Sequence, residues 1–94
     1  MPIEDNQEIR RQVRDYVISS FYVADGDALA DSASLIETGI IDSTGVLELV
    51  AFLESTLGVK VADEDMLPEN LDSIARIAAF VCRKRIAALE AVAA

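Results

Sequence analysis

Apolar residues recur at helical spacing in three segments of the chain, and this periodicity predicts three helices. The first segment, residues 6–21, carries its apolar stripe at Ile9, Val13, Tyr16, Val17 and Phe21. The second, residues 43–57, carries it at Val46, Leu49, Val50, Leu53 and Leu57. The third begins after Asn70 or Asp72 and runs through Ile74, Ile77, Ala78, Val81, Ile86 and Leu89. We therefore expect each helix to turn one face towards a shared core.

The segments between these stripes predict loops and one short helical turn. In residues 22–42, Asp25-Gly26-Asp27 is typical of a turn, and the apolar pairs Leu35-Ile36 and Ile40-Ile41 indicate a long loop held against the helices. Further along, Asp63-Glu64-Asp65 and Met66-Leu67 predict a short turn that Pro68 ends. The fold class is therefore all-α, a small four-helix bundle with three longer helices, one short helix and a long first loop.

Length and composition predict a single domain spanning residues 1–94. Hydrophobic residues make up 52% of the 94, which is enough for a core, and there is no internal repeat. We expect the core to cover about residues 6–86 and the alanine-rich tail, residues 87–94, to fray. The chain shows neither a signal peptide nor an apolar run long enough for a membrane span, so we expect a cytoplasmic protein without membrane contact.

The net charge of the chain limits the classes of molecule that it can bind. The formal net charge is −9, and in residues 16–75 Lys60 is the one basic residue among many acids. Such a surface repels nucleic acids and anionic membranes and attracts basic protein surfaces. Solubility alone would also account for the acidity.

Most catalytic and metal chemistry is excluded by composition. The chain has no histidine and no phosphate-binding glycine loop, so a Ser-His-Asp triad and histidine metal sites are impossible. A calcium loop counted from Asp25 fails, because it places Ala30 where a glycine is needed and Ile36 where an acid is needed. Cys82 falls in an apolar helical pattern and is interpreted as a buried structural thiol. We expect neither an enzyme nor a metal site.

The junction of Asp42 and Ser43 is the remaining candidate for a functional site. Asp42 is placed to cap the second helix, which makes Ser43 its first residue, and Gly58 is placed to stop it. The unpaired N–H groups at a helix start favour a phosphate, so a phosphodiester on Ser43 would be well placed. On this register the outer side of the helix carries four further residues: Leu47, Glu48, Ala51 and Glu54.

Around this junction the chain resembles the acyl carrier protein family, the phosphopantetheine-carrying domains, over most of its length. The resemblance lies in Leu35, Gly39 and Ile40-Ile41 before Asp42-Ser43, and in Leu49 and Leu53 within the helix. Residues 69–74 are similar to the start of the family's last helix. Ser73, which also follows an aspartate, lacks the upstream loop and is interpreted as a helix cap.

The resemblance implies that a phosphopantetheinyl transferase attaches 4′-phosphopantetheine from coenzyme A to Ser43, which Asp42 flanks. The arm would carry an acyl or aminoacyl group as a thioester to partner enzymes with basic docking patches, and the chain, expected to be a monomer, would not catalyse the reactions. It implies that partners recognise the second helix, at Thr44, Leu47, Glu48, Ala51 and Glu54.

Two residues depart from the family's pattern. The family commonly has leucine or methionine after the serine and often an acid next, whereas this chain has Thr44 and Gly45. We interpret Gly45 as loosening the first turn. The departure favours a carrier specialised for a fatty-acid, polyketide or aminoacyl pathway.

An alternative function is an acidic helical protein-interaction module that keeps the carrier fold without the prosthetic group. It predicts an unmodified Ser43 and partner binding that survives Ser43→Ala.

Overall fold

A computed structural model describes residues 6–21, 23 and 29–93 of the chain. Four α-helices follow one another: α1 Asn6–Ser20, α2 Ser43–Ser55, α3 Pro68–Leu71 and α4 Ile74–Ala93. A 3₁₀ turn at Asp63–Asp65 precedes α3. Within the described ranges the structure is all-helical, with three longer helices and one short one, which confirms the predicted fold class.

The predicted stripes of the three longer helices form the core. Fully buried side chains come from all three: Ile9, Val13 and Val17 of α1, Leu49 and Leu53 of α2, and Ile74, Ile77, Ala78 and Val81 of α4. Half-buried members of the stripes pack around them, namely Tyr16, Phe21, Val46 and Val50. The predicted apolar stripes of α1 and α2 are thus confirmed.

The outer part of α4 differs from the prediction. Ile86 and Leu89 were expected to extend the core face, but their side chains are 47% and 53% exposed. All residues from 86 to 91 are exposed, because the helix here runs past the elements that cover its earlier turns. The helix is nevertheless continuous to Ala93, and the boundary between core and fraying tail stays a prediction.

Two further interpretations of single residues were wrong. Pro68 does not end a helical turn: it begins α3, where a residue without an N–H loses no helical hydrogen bond. Cys82 is half-buried rather than buried, with the Asn6 side-chain amide 3.9 Å from its sulfur. Ser73 is confirmed as a cap, since its buried hydroxyl accepts a hydrogen bond from the Arg76 N–H at 3.0 Å.

The described part of the long first loop is held against the helices, as predicted. One member of each apolar pair is buried, Leu35 and Ile41, while Ile36 is 48% exposed and Ile40 is half-buried. The predicted turn at Asp25-Gly26-Asp27 lies outside the described residues.

Candidate functional site

The loop before α2 is folded tightly enough to fix the place where the helix begins. Gly39 has a φ of +77°, a left-handed conformation that glycine adopts without a steric penalty, and its N–H bonds the Ile36 carbonyl at 3.0 Å. The chain then returns so that the Ile41 N–H bonds the Leu35 carbonyl at 3.0 Å. Because Ile41 is buried, the next residue emerges from the core at a defined point.

Asp42 caps α2, and Ser43 is the first residue of the helix, as predicted. The Asp42 carboxylate accepts a hydrogen bond from the Gly45 N–H at 2.7 Å, and its carbonyl accepts one from the Val46 N–H at 3.0 Å. The N–H groups of Ser43 and Thr44 lie in the first turn and have no helical carbonyl to bond. Ser43 is exposed, so its hydroxyl stands at a helix start that favours an anion.

A groove of about 340 Å³ opens beside Ser43. Its lining comprises Ile36, Gly39, Ile41, Asp42, Ser43 and Val46. A smaller hollow of about 150 Å³ is lined by Ile36, Val46, Met66, Leu67, Pro68 and Leu71. Ile36 and Val46 line both, so a mostly apolar surface leads from the serine towards α3.

The outer side of α2 presents the residues that the sequence assigned to it. Thr44, Leu47, Glu48, Ala51 and Glu54 are all exposed, and Leu47 is 61% exposed. Glu54 is tied to its own chain, since its carboxylate accepts a hydrogen bond from the Val61 N–H at 3.0 Å. Burial raises the pKa of the nearby Tyr16 phenol, and the negative charge of Glu48 raises it further.

Comparison with protein families is decisive for the class of protein. A family model described as the phosphopantetheine attachment site matches residues 11–81, which is most of the chain. The chain belongs to this family. It is therefore a carrier domain that bears a covalently attached 4′-phosphopantetheine group, and it is a carrier rather than a catalyst. Comparison with curated proteins gives no significant match.

Membership of the family implies two kinds of partner for the carrier domain: a phosphopantetheinyl transferase and enzymes that handle acyl groups. Among the described residues, no group of three or more acidic or cysteine side chains is arranged to hold a metal ion. None of the carrier's described helices is both long and apolar enough to cross a membrane.

Gly45 has a different role from the one that its sequence context suggested. It is buried in the first turn of α2, and a Cβ placed on it would lie 2.9 Å from Cε1 of Phe21 and 3.3 Å from Cγ2 of Ile41. Its N–H is the donor to the Asp42 cap. The first turn of the carrier's α2 is thus tightly packed rather than loosened.

Several residues of the serine's surroundings were missed from the sequence. Ile36 is 48% exposed and lines both the groove beside Ser43 and the smaller hollow, although it was assigned to the loop's inner contacts. Leu67 is 43% exposed and lines the smaller hollow. Phe21 was identified only as a member of the α1 stripe. The family-like run from Leu35 to Ser43 could have pointed to Ile36, but Leu67 and Phe21 come near the site only through the tertiary fold.

Proposed function

We propose that Ser43 is the residue of this carrier to which 4′-phosphopantetheine is attached. The observation that carries the proposal is the exposed hydroxyl at the first position of α2, directly after a capping aspartate. Two other serines follow an aspartate, and neither offers a comparable site. Ser73 is 3% exposed and uses its hydroxyl as a cap, and Ser32 is exposed but lies in a turn of the first loop rather than at the start of a helix.

The surroundings of Ser43 fit the group. A phosphodiester on this hydroxyl has the N–H groups of Ser43 and Thr44 available to its oxygens, and the helix start favours its negative charge. The groove lined by Ile36, Ile41 and Val46 offers apolar surface beside the attachment point. When bound, the group supplies a thiol that holds an acyl or aminoacyl cargo.

The attachment reaction balances with coenzyme A as donor. The Ser43 oxygen forms a bond to the phosphorus nearer the pantetheine, and the bond from that phosphorus to the bridging pyrophosphate oxygen breaks. Adenosine 3′,5′-bisphosphate leaves, and the hydroxyl proton passes to a base of the transferase. The carrier contributes position: Asp42 holds the Gly45 amide and thereby fixes the first turn on which Ser43 stands.

The partner surface in this proposal is the outer side of α2. Thr44, Leu47, Glu48 and Ala51 are exposed along it, so a partner can combine apolar contact at Leu47 with a basic group at Glu48. Glu54 keeps its charge exposed while bonding the Val61 N–H. Rim contacts of this kind are individually weak, which suits a carrier that must leave each partner.

The proposal also covers the class of pathway, the oligomeric state and the cellular compartment. Thr44 and Gly45 in place of an apolar residue and an acid favour a specialised fatty-acid, polyketide or aminoacyl pathway over a generic one. The high negative charge favours a monomer, because copies of the chain repel one another, and we place the carrier in the cytoplasm.

The test is mass spectrometry of the apo-protein after incubation with coenzyme A and a broad-range phosphopantetheinyl transferase. We expect a gain of one phosphopantetheine group, lost in Ser43→Ala and kept in the matched controls Ser32→Ala and Ser73→Ala, which remove the hydroxyls of the other two Asp-Ser pairs. A gain that persists in Ser43→Ala, or no gain with several transferases, would contradict the proposal. An unmodified Ser43 in protein purified from its native host would instead support the interaction module.

A further inference from the structure

The first turn of α2 is in contact with the end of α1 through one aromatic ring. Phe21 directly follows α1, and its Cε1 atom lies 2.9 Å from the position that a Cβ on Gly45 would occupy. Real Cβ atoms essentially never approach another heavy atom so closely. A side chain at position 45, two residues after Ser43, would therefore force the ring or the first turn of α2 to shift.

The ring has little freedom to retreat. Phe21 meets Tyr16 edge to face, with ring centroids 5.8 Å apart and planes at 86°. Tyr16 is in turn stacked on Phe52 of α2, with centroids 4.1 Å apart and planes at 11°. Since Gly45 and Phe52 are seven residues apart, they lie on the same face of α2, and the three rings hold this face against α1.

Helix α1, which ends directly before Phe21, is itself held in place by its contacts. Ile9, Val13 and Val17 of α1 are fully buried in the core. Ion pairs from Arg10 and Arg14 join the same helix to Asp31 in the loop. Phe21 therefore packs from the end of an anchored helix against the turn that carries Asp42 and Ser43.

Resting on the proposed role of Ser43, we infer that Phe21 and Gly45 form a coupled positioning pair for the modification reaction. The ring and the missing side chain together set the first turn of α2, and with it the direction in which the Ser43 hydroxyl meets the transferase. Phe21 is a positioning residue and touches no reacting atom. A displacement of the reacting group by about 1 Å, even when a residue outside the reaction causes it, can slow a reaction by up to about a hundredfold.

The pair predicts a specific pattern of rescue. Gly45→Ala introduces the Cβ that collides with Phe21, and we expect kcat for phosphopantetheine attachment to fall about tenfold with little change in KM, because the docking side chains of α2 are unchanged. Phe21→Leu removes the Cε1 atom together with part of the ring surface that sets the turn, and it should lower kcat about threefold, less than the collision does. In the double variant the rate should return to within about twofold of Phe21→Leu alone.

Thermal unfolding gives a second readout that does not depend on the transferase. Alanine is a better helix former than glycine, so Gly45→Ala should raise the unfolding midpoint in the Phe21→Leu background. In the background with Phe21 the collision should remove that gain, since the new Cβ would meet the ring at 2.9 Å and the Ile41 methyl only at the milder distance of 3.3 Å.

Controls separate this inference from the proposed function and from simple destabilisation. Ile77→Val, a fully buried change in α4, should lower the unfolding midpoint without lowering kcat. Additive effects of Gly45→Ala and Phe21→Leu, or a rise in KM at constant kcat, would overturn the coupled pair. Failure of the unaltered protein to be modified on Ser43 would instead overturn the proposed function.

Discussion

The Ser34 hydroxyl donates a hydrogen bond to the Asp72 carboxylate at 2.7 Å, across 38 positions of sequence. The other carboxylate oxygen accepts the Ile36 N–H at 3.0 Å, and the Asp72 carbonyl accepts the Leu35 N–H at 2.8 Å. One residue between α3 and α4 therefore holds the loop that leads to Ser43.

Removing this link should destabilise the domain. We expect Asp72→Ala to lower the free energy of unfolding by about 2 kcal/mol, because two donors lose a charged acceptor, and Ser34→Ala by about 1 kcal/mol. The double variant should cost little more than Asp72→Ala alone, since the two residues share one interaction. Urea unfolding measures all three, and Glu64→Ala, an exposed acid outside the link, should stay within about 0.5 kcal/mol. Additive losses would show that the residues act independently.

Asp42 should act through its cap rather than through its charge. Asparagine is an equally good cap, so Asp42→Asn should leave the free energy of unfolding nearly unchanged, whereas Asp42→Ala should lower it by about 1 kcal/mol. Chemical denaturation of the two variants side by side decides the point. Equal losses in both would mean that the negative charge, and not the acceptor for the Gly45 N–H, supports the helix start.

Asp31 should make the domain sensitive to acid. Its hydrogen bond from Arg14, helped by Arg10 at 3.1 Å, holds the pKa of its carboxyl below the ordinary value of 3.8, although partial burial opposes the shift. A lowered carboxyl pKa stabilises the fold above the ordinary pKa, and this contribution disappears as the pH falls through the lower, folded value.

We therefore expect Asp31→Asn to lower the unfolding midpoint at neutral pH and to flatten its decline from about pH 4 downwards. Thermal unfolding over a pH series measures both effects. Glu64→Gln is the matched control and should leave the slope unchanged. An acid slope that is the same with and without the Asp31 carboxylate would exclude this ion pair as its source.

Charge reversal tests whether partners use a local surface. Glu48 is exposed on α2 close to Ser43, whereas Glu90 is exposed near the end of α4. Glu48→Lys should slow modification or acyl loading several-fold, mainly by raising KM, and the effect should shrink at high salt. Glu90→Lys makes the same change in net charge and should have little effect. Equal slowing by both would indicate that net charge alone governs the encounter.

The helices and much of the site were predictable from sequence because they rest on local signals. Periodicity locates the buried faces of α1 and α2, and the Asp42-Ser43 pair sits where a cap and a helix start coincide. The interpretation failed where a residue's role depends on distant neighbours. A proline is favourable both after the end of a helical turn and at the first position of a helix. Only the tertiary fold decides that Pro68 begins α3.

Tertiary contacts also determine the features that hydrophobic periodicity could not predict. Ile86 and Leu89 continue the α4 pattern, but nothing in the pattern shows that the helix extends past its covering elements. The role of Gly45 depends on Phe21, which is 24 positions away in sequence and arrives by the packing of α1. A glycine two residues after a serine carries no local sign that a distant ring packs against it.

The close approach of Phe21 to Gly45 restricts the order in which these two positions can change during evolution. A lineage that gains a side chain at position 45 passes most easily through the loss of the ring at position 21. The opposite order requires an intermediate protein with the collision in place. A larger side chain at position 45, such as an acid, is thus reached most easily after a change at the end of α1.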